Sequence, residues 1–203
     1  MNKYRKIVSS ISMAILLWLP VSSALAVAIT ITPVSQTITL GNTAAIDIGI
    51  SGLGDHSSPS LGVFDLDILF NPAILSFNSV VFGDPILGDQ LDLMGFGSLT
   101  DVKTVSGSIN LFELSLDSSA DLDSLQSGAF ILARILFNSL SIGDSALQVV
   151  INDLGDAKGA AITAAVSDAN VTVSAIPEPN SIFLIISGLL AILIFHWKQQ
   201  FPS

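Results

Sequence analysis

The sequence contains no cysteine, one tyrosine, two tryptophans and two histidines in 203 residues. Disulfide frameworks, thiolate nucleophiles and cysteine-based zinc sites are therefore closed to it. The aromatic shortage is sharper in the middle of the chain. Tyr4 and Trp18 lie near the start and Trp197 near the end, so residues 27–175 hold neither residue type. Sugar-binding faces built on stacked indole or phenol rings are disfavoured there, and phenylalanine is the only large aromatic left. Basic charge is scarce too: residues 27–175 carry only Lys103, Arg134 and Lys158, against all but one of the seventeen Asp and Glu. A formal net charge of −10 argues against nucleic acid as a partner and against docking on anionic lipid. It suits solubility outside the cell, or a partner that is cationic.

Hydrophobic residues are abundant, and at the two ends they are arranged as signals. Lys3, Arg5 and Lys6 precede the apolar stretch Ile7 to Leu19, Pro20 breaks it, and Ala24-Leu25-Ala26 supplies a small-x-small cleavage site. Residues 1–26 read as a signal peptide with a signal helix, exported by the Sec route and cut after Ala26. At the other end, Ile176-Pro177-Glu178-Pro179 precede the apolar run Ile182 to Phe195, which His196, Trp197 and Lys198 follow. A helix from Ile182 to Trp197 would rise roughly 24 Å, a short span for a hydrocarbon core of about 30 Å. Five Ile, four Leu and two Phe in that run favour insertion by roughly 3 to 7 kcal/mol together. Pro177 and Pro179 keep the helix from starting earlier, so a transmembrane helix is expected over residues 181–197.

A short Pro-Glu-Pro element, one hydrophobic span and a basic end resemble the PEP-CTERM sorting tail of Gram-negative bacteria. The resemblance covers residues 176–203 and implies recognition of Pro177, Glu178 and Pro179 by an exosortase, a membrane transpeptidase-like enzyme. It implies an itinerary as well: transient anchoring in the inner membrane, then delivery to the cell surface or extracellular matrix.

Residues 27–175 have the length of one domain. Short alternating stretches are separated by Gly, Asp, Asn and Ser. In Val63 to Phe70, the residues Phe64, Leu66, Ile68 and Phe70 share one face, and Asp65 and Asp67 point to the other. Ile46, Ile48 and Ile50 alternate similarly. Ser108 to Leu116 places Phe112, Leu114 and Leu116 opposite Glu113, and Phe130 to Phe137 is apolar on both faces apart from Arg134. Ile29 to Thr32 and Thr37 to Leu40 open the domain, while Ala146 to Ile151 and Asn170 to Ser174 close it. Helical turns are expected only at Pro72 to Leu75 and Asp121 to Leu125, and Gly83 to Val105 reads as the longest irregular part. About eight or nine strands with connections too short for crossover helices predict an all-β, antiparallel β-sandwich.

The run Gly62 to Phe77 resembles the early strand and turn of cohesin-like domains: an alternating strand ends in an aromatic (Phe70), then Asn71, Pro72 and a leucine, Leu75. Gly41-Asn42 and the run Phe130 to Phe137 with Gly143 fit the same pattern. The resemblance covers most of residues 27–174. It implies a jelly-roll sandwich, a fold shared with many carbohydrate-binding modules, and non-enzymatic contact with proteins or glycans.

Residues that could carry chemistry are few. His56, in Gly54-Asp55-His56-Ser57-Ser58, is the single histidine of the domain, and no Gly-x-Ser-x-Gly elbow accompanies it. Asp65 and Asp67 stand roughly 7 Å apart on one strand face, a spacing that glycosidase carboxylates tolerate but that polar strand faces show routinely. Oxygen-rich loops at Gly83-Asp84 to Asp92 and at Asn152 to Asp156 offer carboxylates and carbonyls to calcium, although neither matches an EF-hand loop and Asp–Gly pairs are also ordinary turn formers. The face of Phe130, Leu132 and Leu136 reads either as a protein-docking patch or as a covered second core. The expectation is thus an exported, non-enzymatic, cohesin-like surface or matrix protein without a required cofactor. A carbohydrate-binding module is the alternative and a hydrolase the third reading.

Overall fold

The computed structural model describes residues 26–176 and 181–200. β1 (Val27–Thr32) and β2 (Ser35–Thr39) are one segment bent between two sheets at Pro33 and Val34. Proline supplies no ladder N–H, so the strand must break there. Near the end of the domain, β10 (Ala164–Ser167) and β11 (Ala169–Ser174) bend in the same way about Asp168. The two bent segments lie side by side: β10 pairs in parallel with β1, β11 in parallel with β2, and the Asn170 N–H donates to the Val34 carbonyl at 3.0 Å.

Between them run β3 (Thr43–Ser51), β4 (Leu61–Leu69), β5 (Leu75–Phe82), β6 (Ser98–Val105), β7 (Ser108–Ser115), β8 (Ala129–Ser139) and β9 (Gly143–Asp156). One sheet has the order β10-β1-β3-β8-β5 and the other β2-β11-β9-β4-β7-β6. The protein is therefore all-β and a two-sheet sandwich, as expected, with eleven strands in place of eight or nine. It is not wholly antiparallel, because its first and last strands pair in parallel at one edge of each sheet.

Ile29, Ile31, Ile46, Ile48, Ile135 and Phe137 of the five-stranded sheet share one core with Phe64, Leu66, Ile68, Leu147 and Val171 of the six-stranded sheet, all without measurable exposure. Each such burial contributes about 1.5–3 kcal/mol before entropy is counted. Asn71 caps a single turn, accepting from the Ala73 N–H at 3.0 Å, and Leu75 already belongs to β5. The other expected turn is α1 (Ser119–Leu125), whose Ser118 Oγ accepts from the Asp121 N–H at 3.2 Å. Gly107, at φ +84°, closes the tight β6–β7 hairpin in a conformation that L side chains rarely adopt.

Three strands escape a pattern reading. β5 shifts register against β8 between Phe77 and Ser79, which destroys its alternation. β6 turns Leu99 and Val105 outward, so it reads as loop, and β10 has only four residues. Two face assignments are corrected as well. On β7 the inward residues are Ile109, Leu111 and Glu113, and Phe112 and Leu114 point outward, because Glu113 lies opposite Phe64 and Phe112 opposite Asp65. On β8 a bulge opposite Ile48 and Gly49 buries Leu132 and Ala133 consecutively. Phe130 and Leu132 thus enter the core while Arg134 and Leu136 face out, and the supposed Phe130–Leu132–Leu136 surface does not exist.

The C-terminal helix is present as α2 (Ser181–Gln200). Among the described residues no helix is long and apolar enough to cross a membrane. The side chains at 181–184, 194, 195 and 198–200 lie outside those described. The signal helix, with Ala24, and the sorting residues Pro177, Glu178 and Pro179 also lie outside the described residues.

Candidate interaction face on the six-stranded sheet

The outer face of β9-β4-β7-β6 is built by strand alternation and register. Across it, Leu99, Leu114 and Val63 form one row, and Asp101, Phe112, Asp65 and Asp153 the next. Lys103, Asn110, Asp67 and Val150 form a third row, and Val105, Ser108, Leu69 and Gln148 a fourth. Leu99 is 53% exposed and Val105 69%. Apolar side chains at the rim therefore frame a polar centre.

That centre is cross-linked. The Asn110 Nδ2 donates to Asp65 Oδ1 at 2.5 Å and to Asp67 Oδ1 at 2.9 Å, and the Asn152 Nδ2 donates to Asp65 Oδ1 at 3.1 Å. Lys103 lies 2.9 Å from Asp101; their hydrogen bond holds the Asp101 carboxyl below its ordinary range and the Lys103 ammonium above its own. Asp65 and Asp67 thus share one amide on an open face. His56 stands elsewhere, exposed in a turn at φ +51° with its Nε2 3.8 Å from Asp55 Oδ1. A cavity of about 540 Å³, lined by Ala26, Gly52, Leu53, Asp55, Leu87 and Gly128 among others, involves none of the face carboxylates.

The aspartates of the two suggested calcium loops act mainly as turn caps. Asp84 accepts from the Ile86, Leu87 and Ile131 N–H groups, which lower its pKa against the opposing effect of desolvation. Asp156 Oδ1 accepts from the Lys158 and Ala160 N–H groups at 2.9 and 2.7 Å. Asn152 belongs to the face described above.

Two buried polar groups have no sequence signature. Gln126, at the end of α1, accepts from the Leu61 N–H at 2.5 Å and donates to the carbonyls of Leu61 and Gln90. Glu113 is fully buried. Burial, with a smaller contribution from nearby Asp89 and Asp92 and against the opposing Ser98 hydroxyl bond, pushes its carboxyl up to about 8. A charged residue one place from Phe112 reads as a wet-face residue until β4 sets the register.

Two sheets tied together by parallel first and last strands form a β-sandwich of the cohesin-like class. Solved structures agree. The seventh ScaB type I cohesin from Pseudobacteroides cellulosolvens matches with a TM-score of 0.59 and 16% identity, over 76% of this chain and 96% of that one. The sixth cohesin from the scaffoldin B of Acetivibrio cellulolyticus, solved in complex with a dockerin, matches at 0.57 and 15%, over 73% and 99%. A non-cellulosomal cohesin from the hyperthermophilic archaeon Archaeoglobus fulgidus matches at 0.54 and 16%, over 73% and 91%. No protein-family model matches the sequence, and no curated protein matches it. At these identities the likeness is one of fold.

Proposed function

We propose that this chain is an exported, non-enzymatic interaction module whose sandwich holds a protein partner on the outer face of β9-β4-β7-β6. The observation that carries this reading is the face itself: exposed Leu99 and Val105 at the rim, with Asn110 ordering Asp65 and Asp67 at the centre. Open faces of mixed polarity suit protein docking better than the enclosure of a small substrate. The cohesin solved with a dockerin supplies a precedent for a sandwich of this fold in a protein complex. The proposal includes the itinerary: cleavage after Ala26, exosortase recognition of Pro177-Glu178-Pro179, transient anchoring through α2, and delivery to the surface or matrix. Exposed Ile185, Leu189, Ile192 and Leu193 on α2 support the anchoring step.

Two measurements test the two halves. A photo-activatable phenylalanine analogue at Leu99 yields a defined protein adduct in the native envelope, while the same group at Asn138 on the opposite sheet yields none; equal labelling at both positions refutes the docking face. Intact masses from envelope and medium, with and without the exosortase, should show a released form lacking residues 1–26 and the hydrophobic tail only when that enzyme is present. A full tail retained in both strains reduces α2 to a plain anchor.

A further inference from the structure

β6 is an open edge of the six-stranded sheet, eight residues long and paired on one side with β7. Of the four edge strands it alone is both long and regular: β10 has four residues, β2 has five, and β5 shifts register between Phe77 and Ser79. The turn at Ser106 and Gly107 makes Val105 and Ser108 a hydrogen-bonded pair, and bonded and non-bonded pairs alternate from there. Ser98, Thr100, Val102 and Thr104 therefore aim their main-chain N–H and C=O groups at the open edge. Among the described residues no other strand pairs with them. Natural sheets blunt such an edge with bulges, proline or like charges. β6 has neither proline nor bulge, and it carries one charge of each sign, Asp101 and Lys103, 2.9 Å apart.

We infer that β6 pairs with β6 of a second copy of this chain, antiparallel about a two-fold axis at Val102, so that two six-stranded sheets become one. The strand is its own complement in that register. Leu99 meets Val105 of the second copy, Thr100 meets Thr104, Asp101 meets Lys103, and the two Val102 residues meet each other. Thr100, Val102 and Thr104 then exchange main-chain bonds with Thr104, Val102 and Thr100 across the axis. Other registers are worse. A shift of two residues sets Asp101 against Asp101 or Lys103 against Lys103, and in-register parallel pairing stacks both like charges. A slip of one residue turns the outer face of one copy against the inner face of the other. Charge complementarity thus selects one arrangement of one partner. The contact is small, which puts the dimer among low-affinity associations. It lies in the plane of the sheets and leaves both outer faces open, so the inference does not rest on the docking face.

The test uses the full chain in detergent, where the absence of cysteine makes single introduced thiols clean reporters. L99C and V105C replace exposed side chains, so both variants should stay folded. In the dimer positions 99 and 105 form a non-hydrogen-bonded pair with Cα atoms about 4.5 Å apart, within disulfide reach, whereas the two copies of position 99 stand roughly 20 Å apart. Mild oxidation of an equal mixture should therefore give a disulfide-linked pair of unlike chains, at least fivefold faster than either variant alone. Adding D101K to both variants opposes like charges at two places and should slow the reaction at least fivefold; D101K with K103D should restore it. Equal rates in the mixture and in each variant alone overturn the inference, since contact through α2 gives that result. A mixed-chain excess that D101K leaves unchanged overturns it too. A Leu99 photo-adduct of two identical chains reports this dimer, and one of any other composition reports a docked partner.

Discussion

Asn110 holds Asp65 and Asp67 together, its single amide nitrogen bonding one oxygen of each at 2.5 and 2.9 Å across β7 and β4. The arrangement aligns two carboxylates on an open sheet without enclosing them. Replacing the exposed rim residues Leu99 and Val105 by Asp should therefore change stability by no more than about 0.5 kcal/mol. Partner binding should weaken at least tenfold, about 1.4 kcal/mol, measured as loss of the photo-adduct and as a lowered affinity once the partner is isolated.

Glu113 makes stability depend on pH in the direction opposite to a paired surface carboxylate. Its folded-state pKa of about 8 lies above the ordinary glutamate value of 4.5, so the folded chain holds a proton that the unfolded chain releases in that interval. The stabilisation is complete below the lower value and is lost as pH rises through the upper one. Chemical denaturation should show stability falling between pH 5 and 8 by up to about 1.4 kcal/mol per pH unit from this group, and E113Q should flatten the slope.

Gln126 joins α1, β4 and the 83–97 segment by three bonds in a fully buried setting. Gln126→Leu removes both its donor and its acceptor and leaves the Leu61 N–H and two carbonyls without partners. The expected cost is about 2–4 kcal/mol, read as a lower midpoint in urea at unchanged m-value.

Arg134 grips Asp47 through Nε and Nη2 at 2.6 and 2.8 Å on the outer face of the five-stranded sheet. The Asp47 bond raises the already high pKa of the guanidinium, yet 43% of the arginine side chain is open to solvent. Arg134→Gln should lower Tm by only about 2 °C at low salt, with the difference closing as sodium chloride reaches about 0.5 M.

Much of the sandwich is written locally. Phe64, Leu66 and Ile68 alternate with Asp65 and Asp67, Asn71-Pro72 makes its turn, and Ser118 caps α1; each depends on residues within one or two turns of chain. Those signals suffice for an all-β, two-layer fold and for the wet placement of Asp65 and Asp67. The tertiary structure decided what depends on distant partners. Asn110, forty-three residues from Asp67, becomes a bridge only when β7 pairs with β4. The bulge opposite Ile48 and Gly49 reverses the faces of β8, and a single reversal of phase moves every later side chain to the other side. Parallel pairing of the first and last strands joins residues more than a hundred positions apart, beyond any local pattern. Glu113 is the clearest case: strand alternation puts it opposite Phe112, but only the register with Phe64 decides that this side is the interior, where water no longer screens its charge.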